Sequence, residues 1–513
     1  MSVNSYILAM YDVRGKQEFI YRSSKIKEIV GGSMVIRDIF DDYLFSQSDG
    51  KLIYSYDSKA ESIEPFKVEE MKKRFDEGYV GEVVYEGGGN LMIIFKDRDS
   101  MISCNRKFTH DVIEATSTLT VLCCDVEIDD SFSDFPRDRK RLYDEHTKVE
   151  SSNAGYHPCN ALPITKVDHN SSLPIVEIIK ENSLENEVSR ESLAKLSKYK
   201  ACASKENLGE TVLDNIVHEK GEDSLLAVVY IDGNSMGAKV QNCLEGKEEG
   251  KKKDSSYDAS VTRLREFSSA LNKEYVSERQ LAISAAISDK PESKETRFLI
   301  ASGDEMTFIC QARDAYKAIK AYFSSEDGVN YKGFPEEDHS SCAGIAIFHS
   351  HAPYADAYRI AEECCESGKQ YMKEHGLVNT CLMDFHYCQT GIGLSLEAIR
   401  AREVGDLGSK PWVVRVGKED ESKLQDETIF KIEDVEKIVG CLKEISRTNI
   451  KGLLPAAKES LSALKLEFGR IKAHTQKDIE SAFDKTSVKK DDDRRKLIYD
   501  IVSAYDWWFR EEK

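Results

Sequence analysis

Residues 225–237 read Leu-Leu-Ala-Val-Val-Tyr-Ile-Asp-Gly-Asn-Ser-Met-Gly, and residues 298–310 read Phe-Leu-Ile-Ala-Ser-Gly-Asp-Glu-Met-Thr-Phe-Ile-Cys. Each is an apolar run interrupted by small residues that carry carboxylates, a pattern that predicts buried strands meeting turns. The first run is expected to deliver Asp232 at a strand end and to open a helix after Gly237. The second is expected to fold as a hairpin turning at Ser302-Gly303-Asp304-Glu305. Side by side, such strands converge Asp232, Asp304 and Glu305 with no basic residue among them. Like charges at one point are costly unless a cation joins them, and oxygen donors of this kind suit magnesium or manganese.

The rest of the chain bounds what can surround that cluster. At 513 residues it exceeds one ordinary core, and its length predicts roughly three or four domains. Hydrophobic content of 40% and aromatic content of 9% exclude wholesale disorder. A formal net charge of −19 argues against a general nucleic-acid coat, which needs a basic surface, and leaves room for a local basic groove. No apolar run reaches the ~20 residues that span a bilayer, and the start of the chain lacks a basic n-region, so a cytoplasmic chain with no membrane partner is expected. None of the thirteen cysteines forms a Cys-x-x-Cys pair, which predicts buried thiols in a reducing compartment. Cys159, near His157 and His169, has poor spacing for zinc.

In order, residues 5–12 form a strand pattern ending in Asp12, followed by a helical stretch through Gln17, Ile20 and Ile29. Gly31-Gly32-Ser33 is expected to open a second helix whose free N–H groups could hold an anion. Two strands within 81–95 flank a glycine turn at 87–90, and a helix at 99–115 and a strand at 119–126 close the unit. The same order recurs as a strand at 225–231, helices near 236 and over 258–275, the 298–310 hairpin, a helix at 312–324 and a strand at 341–348. A helix over 353–369, ended by Lys369, completes it. The expected fold class is α+β, with one unit present twice. The first copy, 1–126, keeps Asp12 but has no acid in its turn; the second, 221–392, carries the acids. A small inserted domain at 127–220, with a helix over 188–199, separates them. A helical domain at 393–513 follows, with helices over 433–446, 455–473 (begun by Pro455) and 493–509, packed by Trp507 and Trp508. Residues 245–254 read as a charged surface loop.

In phosphoryl transfer between nucleotides, two cations ~3.5–4 Å apart hold the attacking 3′ oxygen and the leaving pyrophosphate in line. Asp232, Asp304 and Glu305 are the candidate catalytic residues and, with Ile231, the candidate metal ligands. Gly233, Gly237 and Gly303 let backbone approach a triphosphate. They join Asn234, Ser302, Gly31, Gly32, Ser33 and Lys369, a point charge for phosphate, as candidate nucleotide-binding residues. Asp12 and the helix of 16–28 are expected to line the facing pocket.

These elements resemble the palm domain shared by GGDEF cyclases and the large subunit of type III CRISPR effectors, the Cas ten polymerase/cyclase of Csm and Cmr complexes. Lys16-Gln-Glu-Phe-Ile20 with Lys25-Ile-Lys-Glu-Ile29 and Gly31-Gly32-Ser33 resembles that subunit's first palm. Ala343-Gly-Ile-Ala-Ile-Phe-His349, Pro353, Ala361-Glu362 and Lys369 resemble the end of its second, and Pro158-Cys-Asn-Ala-Leu-Pro163 is faintly similar to the segment between. The similarity runs from residue 5 to about 415. It implies two ferredoxin-like palms that use two Mg2+ or Mn2+ ions to join ATP, or another nucleoside triphosphate, into cyclic oligoadenylate for antiviral defence. Implied partners are CRISPR-type effector subunits and guide or target RNA, with a homodimer as an alternative assembly.

Three departures stand out. The turn is Ser302-Gly303-Asp304-Glu305 where the family usually has Gly-Gly-Asp-Asp. Asn234 stands where many members carry a second Asp. His110-Asp111 falls in an expected palm helix without partner histidines, so a divergent or stand-alone member lacking the HD nuclease domain is implied. The competing reading is a non-catalytic palm-fold subunit that binds nucleotide, RNA or protein. A diguanylate-type cyclase fits less well, because simple GGDEF enzymes pair two separate copies and lack the helical tail.

Overall fold

The computed structural model describes residues 5–46, 53–58, 60, 62–87, 89–152, 162–181, 184–203, 216, 224–245, 247–248, 251–287, 296–324, 340–388, 394–424 and 429–510. The 153–161 stretch with His157 and Cys159, and parts of the 245–254 loop, lie outside these residues.

The first half runs β1 (Tyr6–Arg14), α1 (Lys16–Tyr21), α2 (Ile26–Arg37), β2 (Ile53–Tyr54), α3 (Val68–Asp76), β3 (Gly81–Gly87), β4 (Asn90–Phe95), α4 (Arg98–Thr116) and β5 (Thr120–Ile128). Its sheet has the order β2-β3-β4-β1-β5. The four long strands are antiparallel and make the βαββαβ ferredoxin-like arrangement, with β1 central. Strand β1 is apolar from Tyr6 to Tyr11 because both its faces are covered there. Ile7, Ala9, Tyr11 and Val13 enter one core while Leu8 and Met10 enter another, the period-2 alternation of a strand.

Next come α5 (Phe135–Ser152), the hairpin β6 (Ile175–Glu181) and β7 (Leu184–Ser189), and α6 (Arg190–Ala203). The helix expected over 188–199 therefore begins two residues later, behind a hairpin that sequence periodicity missed. The hairpin forms its own two-stranded sheet, and Val176 and Ile178 stay exposed, so no buried apolar run marks it. Helix α6 packs on α2 and corrects a second expectation. Gly31, Gly32 and Ser33 lie inside α2, which starts at Ile26, so their N–H groups belong to the helix interior rather than to a free, anion-holding terminus. The glycines serve packing. A Cβ at Gly31 would stand 2.0 Å from the Lys195 carbonyl oxygen, and one at Gly32 would stand 3.3 Å from Lys195 Cε.

The second half runs β8 (Leu225–Gly233), α7 (Met236–Glu245), the short pair β9 (Lys247–Glu248) and β10 (Lys251–Lys252), α8 (Tyr257–Leu271), α9 (Arg279–Ile287), β11 (Arg297–Ser302), β12 (Glu305–Gln311), α10 (Ala315–Phe323), β13 (Ser341–His349), α11 (Tyr354–Glu374), β14 (Cys381–Tyr387), α12 (Leu396–Glu403) and β15 (Trp412–Arg415). The sheet order β11-β12-β8-β13-β14-β15 repeats the first half's β3-β4-β1-β5 and adds two strands. The sheet thus continues past residue 392, where the sequence pattern reads as helical; β15 has only four residues, too few to show a period. Lys369 does not end its helix, because α11 continues through Glu374.

The halves meet reciprocally: α8 lies on β3 and α2 lies against β11. Arg265 of α8 donates to the Val83 carbonyl and pairs with Glu82 at 3.3 Å. Tyr358 of α11 donates to Gln17 Oε1 at 2.6 Å. This exchange is the signature of an internal two-fold pair.

The C-terminal helices are α13 (Ile432–Leu442), α14 (Arg447–Glu459), α15 (Leu461–Thr475), α16 (Ile479–Phe483) and α17 (Asp491–Trp508). Pro455 sits inside α14 instead of opening a helix. The break falls at Ser460, whose side chain accepts from the Ala463 N–H and caps α15. Trp508 stacks on Tyr316 and donates to the Ala312 carbonyl at 2.9 Å, fastening the tail to the second half. Among the described residues no helix is long and apolar enough to cross a membrane.

Candidate functional site

Strands β8 and β12 pair antiparallel, with Asp232 directly opposite Glu305. Opposed residues of an antiparallel pair share a face, so register alone brings these two carboxylates together. Gly303 and Asp304 form the two-residue turn between the paired Ser302 and Glu305. Gly303 has φ +63°, the positive value a II′ turn requires at its first central position. Asp304 packs against Gly233, where an added Cβ would stand 2.8 Å from Asp304 Cβ and Oδ2. Beyond β8, a Cβ on Gly237 in the first turn of α7 would meet nothing within 4 Å, so that helix start faces open space.

The electrostatics follow from this crowding. Burial, with Asp232 adding to it, lifts the Asp304 carboxyl to about 6, against the opposing charges of Lys369 and Lys239. Burial and then Asp232 and Asp304 lift Glu305 to about 7, with Lys16 opposing and Glu362 adding. Glu305 Oε1 is buried without a hydrogen-bond partner. Lys369 forms an ion pair with Asp232. Burial draws its ammonium down, but the Asp232 charge outweighs that and leaves it above the ordinary lysine value. Glu362, seven residues earlier on the same helix face, has a carboxyl raised by burial, by Glu363 and Glu366, and by Asp232. Sequence reasoning did not single out Glu362 for this role. Its spacing from Lys369 was the available signal.

Other expected site residues are placed differently. The Ile231 side chain is in the core, which leaves only its backbone to serve a ligand. Asn234 is 3% exposed and turned inward: its Nδ2 donates to the Thr380 carbonyl at 3.0 Å and its N–H to the Ser340 carbonyl at 2.9 Å. The 378–380 loop that receives it is held by Asp420, which accepts from the Val378 and Asn379 N–H groups and from the Thr380 hydroxyl. Asn234 is therefore a buried tie between loops rather than a pocket-lining nucleotide contact. The oxygens of Asp232, Asp304 and Glu305 do not all lie within 4.8 Å of one another; among the described residues only His110, Asp111 and Glu114, on the surface of α4, gather that closely. That trio follows from helical spacing. The three carboxylates of the second half still fit a hard divalent cation, because their donors are all oxygen and one of them is a buried, unpartnered carboxylate oxygen.

The matching place in the first half is neutralised. Asp12 stands opposite Asn90, as Asp232 stands opposite Glu305. Asp12 is met by Arg14 at 3.5 Å, by His146 of α5 at 3.2 Å and by Lys16 at 3.9 Å. Glycine and an amide occupy the positions of Asp304 and Glu305.

Fold and site together define a two-palm α+β protein with one acidic turn and one neutralised turn. No protein-family model and no curated protein matches the sequence. Among solved structures the chain is similar to a Csm1–Csm4 cassette in complex with cA4, at TM-score 0.49 and 12% identity, covering 99% of this chain and 70% of that chain. It is similar to a type III-B Cmr-beta complex in its apo state at TM-score 0.48 and 10% identity, covering 98% and 82%. A Csm1–Csm4 cassette with AMPPNP gives 0.46 and 12%, covering 98% and 70%. The likeness is one of shape, to type III CRISPR proteins; activity, substrate and partners rest on this chain's own residues.

Proposed function

We propose that this protein is a metal-dependent nucleotidyltransferase of the type III CRISPR large-subunit kind, which joins ATP into cyclic oligoadenylate-type products in antiviral defence. The observation that supports it is the opposed pair Asp232 and Glu305 with Asp304 beside them, where burial and the neighbouring carboxylates raise Asp304 and Glu305 although Lys369 pairs with Asp232. A structural role gives no reason to keep such a cluster. In the reaction a 3′ hydroxyl oxygen bonds to the α-phosphorus of a second nucleotide, the bond to pyrophosphate breaks, and the hydroxyl proton passes to solvent water. Asp232, Asp304, Glu305 and the Ile231 backbone would hold Mg2+ or Mn2+, which supplies charge neutralisation at the attacking and leaving oxygens. Gly233 makes room for Asp304, Gly303 stands open to let a triphosphate approach backbone, and the first turn of α7, which holds Gly237, offers it N–H groups. Lys369 balances Asp232 and, once a cation takes that carboxylate, turns its ammonium to phosphate.

The test is incubation of the protein with labelled ATP and Mg2+ or Mn2+, with candidate activating RNA and effector subunits also supplied. Pyrophosphate release that Asp304→Ala abolishes supports the reading; no release under any of these conditions overturns it. The open spacing of the three carboxylates favours a second reading, a palm-fold subunit that binds nucleotide, RNA or protein without turnover. ATP binding with no pyrophosphate release distinguishes it.

A further inference from the structure

The chain carries a net charge of −19, yet residues 137–141, in the first turns of α5, read Arg-Asp-Arg-Lys-Arg, four cations around one acid. That acid is used inside the fold. Asp138 is 2% exposed, pairs with Arg137 at 3.2 Å and Arg141 at 3.0 Å, and accepts from the Tyr257 hydroxyl at 3.2 Å. Arg139 and Lys140 have no ion-pair partner among the described residues. Of the acids one turn on, Glu145 pairs with Lys148 at 3.0 Å and Asp144 with neither cation. Arg139 instead lays its guanidinium over the ring of Tyr143, 4.5 Å from the centroid, and its Nε is buried without a hydrogen-bond partner. Tyr143, four residues on along the same helix face, is 37% exposed. A second basic stretch lies alongside. The Ser255 carbonyl accepts from the Phe135 N–H at 2.9 Å, which fixes the chain leaving β10 against the start of α5. Lys251, Lys252 and Lys253 fall within four residues of that anchor.

On a chain with 91 acids to 72 bases, cations left unanswered at one corner make a local positive field that suits an anion from outside. The exposed ring decides which anion. An acidic polypeptide would use the cations and leave Tyr143 idle. An unpaired base has a π-face that stacks on an aromatic ring, and a guanidinium on the ring's other side adds to that platform. A duplex keeps its bases stacked inside and offers none to Tyr143.

We propose that the Arg139–Tyr143 face of α5 binds single-stranded nucleic acid, with Tyr143 stacking a base and Arg139, Lys140 and the neighbouring lysines meeting phosphates. Neither reading of the acidic turn is needed for this contact, so binding is measured without ATP and in chelator. The full-length protein is titrated, by fluorescence anisotropy, into a labelled RNA of about 12 nucleotides, a DNA of the same sequence and the corresponding duplex. The RNA and DNA arms separate the two sources of this chemistry. Wild type is expected to bind single strand more tightly than duplex. Arg139→Gln with Lys140→Gln is expected to weaken binding by about ten-fold or more and to flatten the plot of log affinity against log salt by about 1.4, two phosphate contacts at ~0.7 each. Should Arg139→Gln lower the melting temperature, the exposed Lys140→Gln alone carries the charge arm, with a slope change of about 0.7. Tyr143→Ala is expected to weaken single strands by about five-fold or more with the salt slope kept, and Tyr143→Phe to restore them. Lys317→Gln, exposed on α10, is expected to change nothing. Absence of single-strand binding by wild type at low salt overturns the proposal, as does an equal loss in Lys317→Gln. Loss on removing the charges with none in Tyr143→Ala, the pattern of a surface for acidic polypeptide, overturns it as well.

Discussion

Replacing Glu305 by its neutral isostere should stabilise the metal-free protein, and should do so only above a certain pH. The carboxyl is held at about 7 where an ordinary glutamate stands at 4.5. At about 1.4 kcal/mol per pH unit, that gap corresponds to about 3 kcal/mol of penalty on the folded, ionised form. Residual exposure and the shared field of Asp232 and Asp304 reduce it, leaving about 1–2 kcal/mol. Between pH 4.5 and 7 the folded chain holds a proton that the unfolded chain has released, so stability falls as pH rises through this window. Thermal melts of wild type and Glu305→Gln in chelator at pH 5 and pH 8 measure this. The variant should melt higher at pH 8, by roughly 2–4 °C per kcal/mol for a unit of domain size, and the gap should shrink at pH 5. Titrating Mn2+ at pH 8 should raise the wild type and leave Glu305→Gln nearly unmoved. A variant that melts lower than wild type at pH 8 without metal would refute the reasoning.

Gly31→Ala should cost about 1–3 kcal/mol or more in thermal melts, because its Cβ would enter the Lys195 backbone and push α6 off α2. Gly233→Ala should displace Asp304 from the turn, with a steep loss of pyrophosphate release in a steady-state assay and a stability loss of about 1–3 kcal/mol. Asp420→Asn should leave buried donors of the 378–380 loop poorly met and lower stability at neutral pH by about 1–3 kcal/mol. The Asp420 carboxyl stays below the ordinary aspartate value because those hydrogen bonds outweigh burial, so the deficit should fade as pH falls through the acid range in melts at pH 7 and pH 3.

The paired strands and the acidic turn were legible because apolar runs, a glycine and the carboxylates sit within a few residues of one another. The repeat was legible for the same reason, since both hairpins carry glycine turns between strongly apolar arms. What sequence missed depends on distant partners. Gly31 and Gly32 look like a helix start until α6 is seen crossing them. Asn234 looks like a pocket residue until Asp420 fixes the loop its amide binds. Glu362 acquires meaning only when α11 is seen carrying it, with Lys369, towards Asp232. The hairpin of β6 and β7 and the short β15 lacked a long buried face, so no periodicity announced them.

Pyrophosphate release from ATP in Mn2+ or Mg2+, compared between Asp304→Ala and Asp12→Ala, tests the unequal palm pair most directly. The account predicts that Asp304→Ala abolishes release while Asp12→Ala, in the neutralised half, retains a measurable share of it. Release that survives Asp304→Ala at the wild-type rate would contradict it.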